Sequence, residues 1–198
     1  MEEIGLPAVL CGGPRKGLSF PCIWTDQAGD AALIVEHLAA LGHRHIAHVS
    51  GPREFVHERA RQRGVRTAAA RQGLSVTTIE GTYAPADARA AVRRLLEDPE
   101  PPTGLIFGND HMSVAGLKQL RELGRAVPRE FSVVSWDDSP LTHAVDPELT
   151  ALYRDNQAYG GQAADMLLDL VAGQRGGRVQ VARSQLRPRP SSGPAPGR

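Results

Sequence analysis

Cysteine is scarce in this chain: Cys11 and Cys22 are the only two in 198 residues. Two are too few for a disulfide scaffold. Neither has a CxxC or Cys/His spacing typical of zinc, so both read as reduced thiols. No run of about 18 apolar residues occurs, which excludes a membrane-spanning helix. The start, MEEIG, is acidic where a signal peptide needs a basic segment. These absences lead to the expectation of a soluble, cytoplasmic protein without a membrane partner. Charge of one sign is missing as well, since 23 basic residues against 22 acidic ones leave a net charge of +1. Such a balance gives no chain-wide attraction to nucleic acid or anionic lipid. Lysine is nearly absent, with Lys16 and Lys118 alone among the basic residues, and codon bias is reason enough. The sequence also lacks GxxxxGK[ST], GxGxxG, HExxH and GxSxG. Phosphate-loop, dinucleotide, zincin and serine-hydrolase chemistry therefore have no support, and the chain reads as a non-enzyme without a cofactor.

What is present is a globular composition with strong alternation. Counting glycine, about half the residues are apolar, enough for a core. Glycine (21) and proline (15) stay below the level that marks low complexity. Short apolar runs fall at 8–11 (AVLC), 45–50 (HIAHVS), 76–79 (VTTI), 104–108 (GLIFG), 132–136 (SVVSW) and 151–153 (ALY). Several are near-continuous, as strands covered on both faces should be. Between them lie helical stripes: Leu33, Val35, His37, Leu38 and Leu41 ending at Gly42, and Ala88, Ala91, Val92, Leu95 and Leu96 ending at Pro99. Asp110 is placed to cap a third helix that stops at Gly124. A fourth carries Ala163, Met166, Leu167, Leu170 and Val171 to Gly173. Strand and helix in alternation predict an α/β fold with parallel sheets. No repeat at solenoid period occurs, and the Pro/Gly-rich end from Arg187 onward reads as extended or disordered.

In open α/β sheets, ligands sit beyond the carboxyl ends of the strands. Here those ends are polar. Gly51-Pro52 is followed by Arg59, Arg61 and Arg63; Ile79 by Gly81, Thr82 and Tyr83; Phe107 by Asn109 and Asp110; Trp136 by Asp137, Asp138 and Ser139. A carboxylate, a guanidinium, an amide and a ring at one edge make a pocket for a polyhydroxylated or heterocyclic small molecule. Taken singly, Asp110 reads as a cap, Arg59 and Arg63 as solvated, and one of the aspartate pair as a turn former. His43, His45 and His48 do not read as a metal set. The first two straddle a helix-to-strand turn, and His48 points to the opposite strand face from His45.

Taken in order, these segments resemble the effector-binding core of the LacI/GalR family of bacterial transcriptional regulators, whose fold is periplasmic-binding-protein-like. The matching stretches are 35–47 (VEHLAALGHRHIA), 50–52 (SGP), 61–64 (RQRG), 107–112 (FGNDHM), 127–138 (VPREFSVVSWDD), 147–150 (PELT) and the closing 189–192 (RPSS). The resemblance implies two lobes hinged around a cleft, a homodimer, and a small effector such as a sugar. The resemblance further implies that the effector changes the DNA grip of an attached helix-turn-helix, the whole acting as a repressor. By position, Arg61 falls on the family's ligand-clamping arginine and Asp137 on its ligand-binding aspartate. Tyr83 falls where an aromatic ring often stacks, and Asn109 at a polar cleft position. The alternative that shares the fold is the solute-binding protein of a sugar ABC transporter.

The departures from the family pattern matter too. The resemblance begins near the middle of the N-terminal lobe, so the expectation is that operator DNA is gripped only through a part not present in these residues. It divides the chain into 1–42 as a partial N-terminal lobe, 43–153 as the effector-binding lobe, 154–183 as a crossover helix with a following strand, and 184–198 as an extended tail. Residues 1–42 are expected to associate or to be partly disordered, because sheet edge and helix faces lack cover. At 26–30 (DQAGD) the glycine of the family's turn is shifted by one place. Arg154 stands where an amide residue is common; together with Arg61 it would favour an acidic effector, unless Arg154 pairs with Asp155 or Asp137.

Overall fold

Near-continuous apolar strands need cover on both faces, and most of this chain is arranged to supply it. In a computed structural model that describes residues 6–14, 17 and 19–197, the elements run β1 (Leu10–Cys11), β2 (Cys22–Trp24), α1 (Gln27–Ala40), β3 (His45–Ser50), α2 (Val56–Gln72), β4 (Ser75–Glu80), α3 (Pro85–Leu95), β5 (Gly104–Phe107), α4 (Asp110–Glu122), β6 (Ser132–Ser135), α5 (Pro140–His143), β7 (Thr150–Tyr153), α6 (Asn156–Val171), β8 (Arg178–Gln180) and β9 (Gln185–Arg187). The acidic start at 1–5, Lys16 and the last residue, 198, lie outside the described residues. The chain divides into two units, one from Met1–Asp26 with Arg154–Ser184 and one from Gln27–Tyr153 with Gln185–Arg198.

The larger unit is built on a six-stranded sheet in the order β4-β3-β5-β6-β7-β9. Every neighbouring pair is parallel except β7 with β9. Alternation along β3 divides its side chains between two cores. Ala47 and Val49 join Ala91 and Val92 of α3 and Met112, Leu117 and Leu120 of α4. Ile46 joins Ile34, Val35 and Leu38 of α1 and Val65, Ala68 and Ala69 of α2 on the other face. At Gly116 of α4 a Cβ would come within 2.2 Å of the Phe107 ring, so only glycine lets the helix lie so close to β5. The α/β class with parallel sheets is as the sequence predicts.

Two features differ from the expectation, and a third falls on one of two expected states. Helix α1, grouped in sequence with the first lobe (1–42), belongs to the larger unit, because its apolar stripe is shared with α2 and β3. Residues 185–197 take the extended one of the two expected states and are not disordered. β9 pairs with β7, and Ser191 is fully buried, its Oγ donating to the Val133 carbonyl while accepting from the Thr150 amide. The apolar pattern predicts no helix over 56–72, yet α2 forms there. Its buried face carries Glu58, Arg61, Gln62 and Gly64, which hides the usual stripe.

The smaller unit has a three-stranded parallel sheet, β1-β2-β8, and helix α6. Tyr159 of α6 donates its hydroxyl to the Ile23 carbonyl at 3.0 Å. No residue of α6 is buried, and Leu168 and Val171 are 65% and 67% exposed. Among the described residues, no helix is long and apolar enough to cross a membrane.

Candidate functional site

Parallel pairing puts the carboxyl ends of β3, β4, β5 and β6 on one edge of the larger sheet, and the polar residues that follow them gather there. The centre of the group is Glu58 in the first turn of α2, whose side chain is wholly buried. A buried carboxylate must be paired, and this one is paired on both oxygens. One accepts the Gly51 amide at 3.1 Å; the other accepts Arg61 Nη1 at 3.0 Å and the Tyr83 hydroxyl at 2.6 Å.

Arg61, one helical turn further on and 8% exposed, is held on several sides. Its Nε donates to Gln27 Oε1 at 2.7 Å, and Nη1 donates to the Gly108 carbonyl at 3.0 Å. The guanidinium carbon lies 4.6 Å from the Trp136 ring centroid, a cation–π contact. These bonds fix the fork and leave Nη2 as the donor they do not use. Because Glu58 balances its charge locally, Arg61 presents a hydrogen-bonding group more than a net cation.

Tyr83 has a positive φ of 70°, a conformation that costs a non-glycine residue about 1–3 kcal/mol and clusters at functional sites. Its ring rests on Gly51, where a Cβ would stand 2.1 Å from Cζ. Burial and the Glu58 carboxylate push the phenol pKa far above the ordinary value, so Tyr83 stays a neutral donor. His57 Nε2 lies 2.8 Å from the same hydroxyl. With that hydroxyl donating to Glu58, the imidazole N–H donates to its oxygen. Burial, then the Arg61 charge, hold the His57 pKa below its usual value.

Asn109 is the cap of α4: its Oδ1 accepts the Met112 amide at 2.7 Å, and its Nδ2 donates to the Tyr83 carbonyl at 3.3 Å. The cap expected at Asp110 is thus one residue earlier. Asp110 instead accepts from the Ser139 hydroxyl, joining the start of α4 to the loop after β6. In that loop the two aspartates take different parts. Asp138 is gripped by Arg189 through two nitrogens at 2.9 and 2.7 Å and by Thr142 at 2.8 Å. Burial alone would raise its pKa, but these bonds win and hold it below the usual carboxylate value. Asp138 is therefore the turn former. Asp137 is half-buried, its carbonyl accepts the Ser135 hydroxyl at 2.8 Å, and its charge is felt at the Tyr83 phenol.

The structure thus brings Arg61, Tyr83, Asn109 and Asp137 together at one edge. Arg154 lies in the smaller unit. Sequence reasoning misses Glu58 and His57. The one available signal was the Glu58–Arg61 spacing of three, which puts both on one helix face. The three histidines of 43–48 go separate ways: His43 bonds Thr103 and Ser132, His45 bonds Thr77, and His48 is buried beside Trp136.

A family model described as a periplasmic binding protein-like domain matches residues 35–192. The HTH-type transcriptional regulator MalR of Streptomyces coelicolor is 34% identical over 176 residues, covering 85% of this chain and 51% of that protein. The chain spans about half the length of this curated relative. A solved LacI family transcriptional regulator from Bifidobacterium animalis subsp. lactis matches with a TM-score of 0.93 at 30% identity, over 98% of this chain and 72% of that one. A transcriptional regulator CelR–cellobiose complex matches with a TM-score of 0.86 at 28% identity, over 96% of this chain and 60% of that one.

Proposed function

Since the chain belongs to the periplasmic binding protein-like domain family, as the effector-binding core of LacI-type regulators, we propose that it senses a small neutral carbohydrate at the carboxyl edge of the larger sheet. The binding signal alters operator affinity of a DNA-binding head joined to this core in a cytoplasmic homodimer, the whole acting as a repressor. The observation that carries the reading is the convergence of Arg61, Tyr83, Asn109 and Asp137 on one edge, fixed by buried Glu58. An aspartate accepts hydroxyl protons, and Arg61 and Asn109 donate to hydroxyl oxygens, a set that suits a sugar's paired donors and acceptors. Neutral ligands are favoured over sugar acids because Glu58 neutralises Arg61 within the site. The cellobiose complex of CelR supports the ligand class, and the regulator names of the relatives favour this reading over a transport protein of the same fold.

The experiment is isothermal titration of cellobiose, maltose, glucose and gluconate into the protein and into Arg61→Ala and Asp137→Ala. A neutral sugar binding to wild type and lost in both variants is the expected outcome. Preference for gluconate, or binding unaffected by both substitutions, overturns the assignment.

A further inference from the structure

Residues 189–195 run as a strap over β6, β7 and the end of α1, away from the carboxyl-edge site. The strap's backbone is tied down at several points. The Ser191 amide donates to the Glu148 carbonyl at 3.0 Å, the Val133 amide to the Ser191 carbonyl at 2.9 Å, the Gly193 amide to Ser132 Oγ at 3.1 Å and the Ala195 amide to the Leu41 carbonyl at 2.8 Å. Two histidines lie in this seat. His37 Nε2 is 2.8 Å from the Ser192 hydroxyl. His43, buried, reaches Thr103 Oγ1 at 2.8 Å through Nδ1 and Ser132 Oγ at 2.9 Å through Nε2.

The hydrogens in the seat are fixed by their neighbours. Ser132 donates to the Gly193 carbonyl at 3.2 Å, so His43 Nε2–H donates to Ser132 and Nδ1 accepts from Thr103. Thr150 donates to the Arg189 carbonyl at 3.0 Å, so Ser192 donates to Thr150 at 2.7 Å and accepts from His37 Nε2–H. Both rings are therefore neutral, and a second proton enters at Nδ1. Burial holds both pKa values below the ordinary one; at His43 the Gly193 backbone works against this and the His37 charge works with it. Among the described residues, no carboxylate pairs with either ring. Glu36 of α1, Arg44 before β3 and Glu100 are exposed, and Asp30 lies about two helical turns back along α1. His45 of β3 bonds Thr77, and Glu130 before β6 bonds Arg125 and the Ala126 amide. Arg189 of the strap grips Asp138, with Glu148 on its flank.

We propose that residues 189–195 are a proton-released strap, seated over two neutral imidazoles and let go when His37 and His43 take up protons. A charged imidazole needs water or a carboxylate, and the seated strap supplies neither. Two charged rings in one seat also repel each other. Opening returns both rings to water, so seating is favoured above about pH 6.5 and lost as pH falls below it. Release carries Arg189 away from Asp138, the neighbour of Asp137 in the loop after β6, so acid slackens that loop. The device lies wholly within the larger unit and works without a ligand.

The test is amide exchange of the full chain near pH 7.5 and pH 5.5, corrected for the intrinsic rate at each pH, with the β5 amides reporting global opening. Opening read at Ser191, Gly193 and Ala195 should rise, relative to β5, by up to about tenfold for each histidine, because an exposed imidazole titrates near pH 6.5 while a seated one resists the proton. His37→Gln and His43→Gln keep a side-chain N–H donor and cannot charge. Each should remove part of the rise, and the two together all of it. In wild type, carbon-13 titration of the imidazoles should place both midpoints below 6.5, a readout that needs no variant to fold. A strap that opens no more at the lower pH relative to β5, a rise that survives in the double variant, or imidazole midpoints at or above 6.5 overturns the proposal.

Discussion

His48 lies in the middle of β3, fully buried, and among the described residues neither ring nitrogen has a hydrogen-bond partner. Burial, then the charges of Arg61 and Arg66, lower its pKa to about 3. The unfolded chain takes up this proton near pH 6.5, whereas the folded one resists it down to about pH 3. Stability associated with His48 is therefore present above pH 6.5 and lost as pH falls through that window, by up to about 1.4 kcal/mol per pH unit. His37, His43 and His57 are shifted in the same direction and add to the slope. Replacing His48 by leucine should flatten the fall of the melting temperature between pH 7 and 5; an unchanged slope would contradict this. At the site itself, Gly51→Ala drives a methyl into the Tyr83 ring. The substitution should weaken sugar binding at least tenfold while the circular dichroism spectrum stays that of wild type, since Tyr83 must leave Glu58.

Elements differ in how far their sequences reveal them. β3, β5 and β6 are near-continuous apolar runs, and α3 and α4 show clear stripes, so all five are legible. α2 is not, because Glu58, Arg61 and Gln62 occupy its inward face, where Arg61 donates to Glu58 and Gln62 to the Ser50 hydroxyl. The same burial of charge that hides the helix builds the site. Arg61, Tyr83, Asn109 and Asp137 could be placed at strand ends from spacing and resemblance. Glu58 could not, since its role depends on a contact 25 residues away in sequence. The β9 segment is likewise masked by proline and glycine, although Arg189 binds Asp138 with both side chains nearly fully buried. Arg189→Ala strands that carboxylate, and removing one partner of a buried pair costs about 3–5 kcal/mol. Urea unfolding should show a loss of this order, and a change under 1 kcal/mol would mean the tail is not anchored by this pair. In α4, Gly116→Ala gains about 1 kcal/mol of helix propensity but collides with Phe107. Overpacking of about 1–3 kcal/mol should win, lowering stability in the same assay.

At the scale of the whole molecule, the two units differ in cohesion. The larger has two cores, one on each face of its sheet. The smaller has a three-stranded sheet and a helix without one buried residue. Amide exchange should therefore be slow in β3, β5 and β6 and faster by orders of magnitude across 156–180, because protection follows burial. Equal protection of both units in a monomer would contradict this. Ligand binding shifts a regulator only by the difference in its affinity for two states, typically 1–3 kcal/mol. The proposed function puts the origin of that difference at the edge built on Glu58.

The most direct test of that assignment is a nuclear magnetic resonance titration of the isotope-labelled protein with cellobiose and maltose, following backbone amides. The account predicts saturable shifts at Gly51, Arg61, Tyr83, Asn109 and Asp137. Shifts confined to other surfaces, such as the groove between Leu117 and Val145 on α4 and the turn after α5, or no saturable shifts with either sugar, would contradict it.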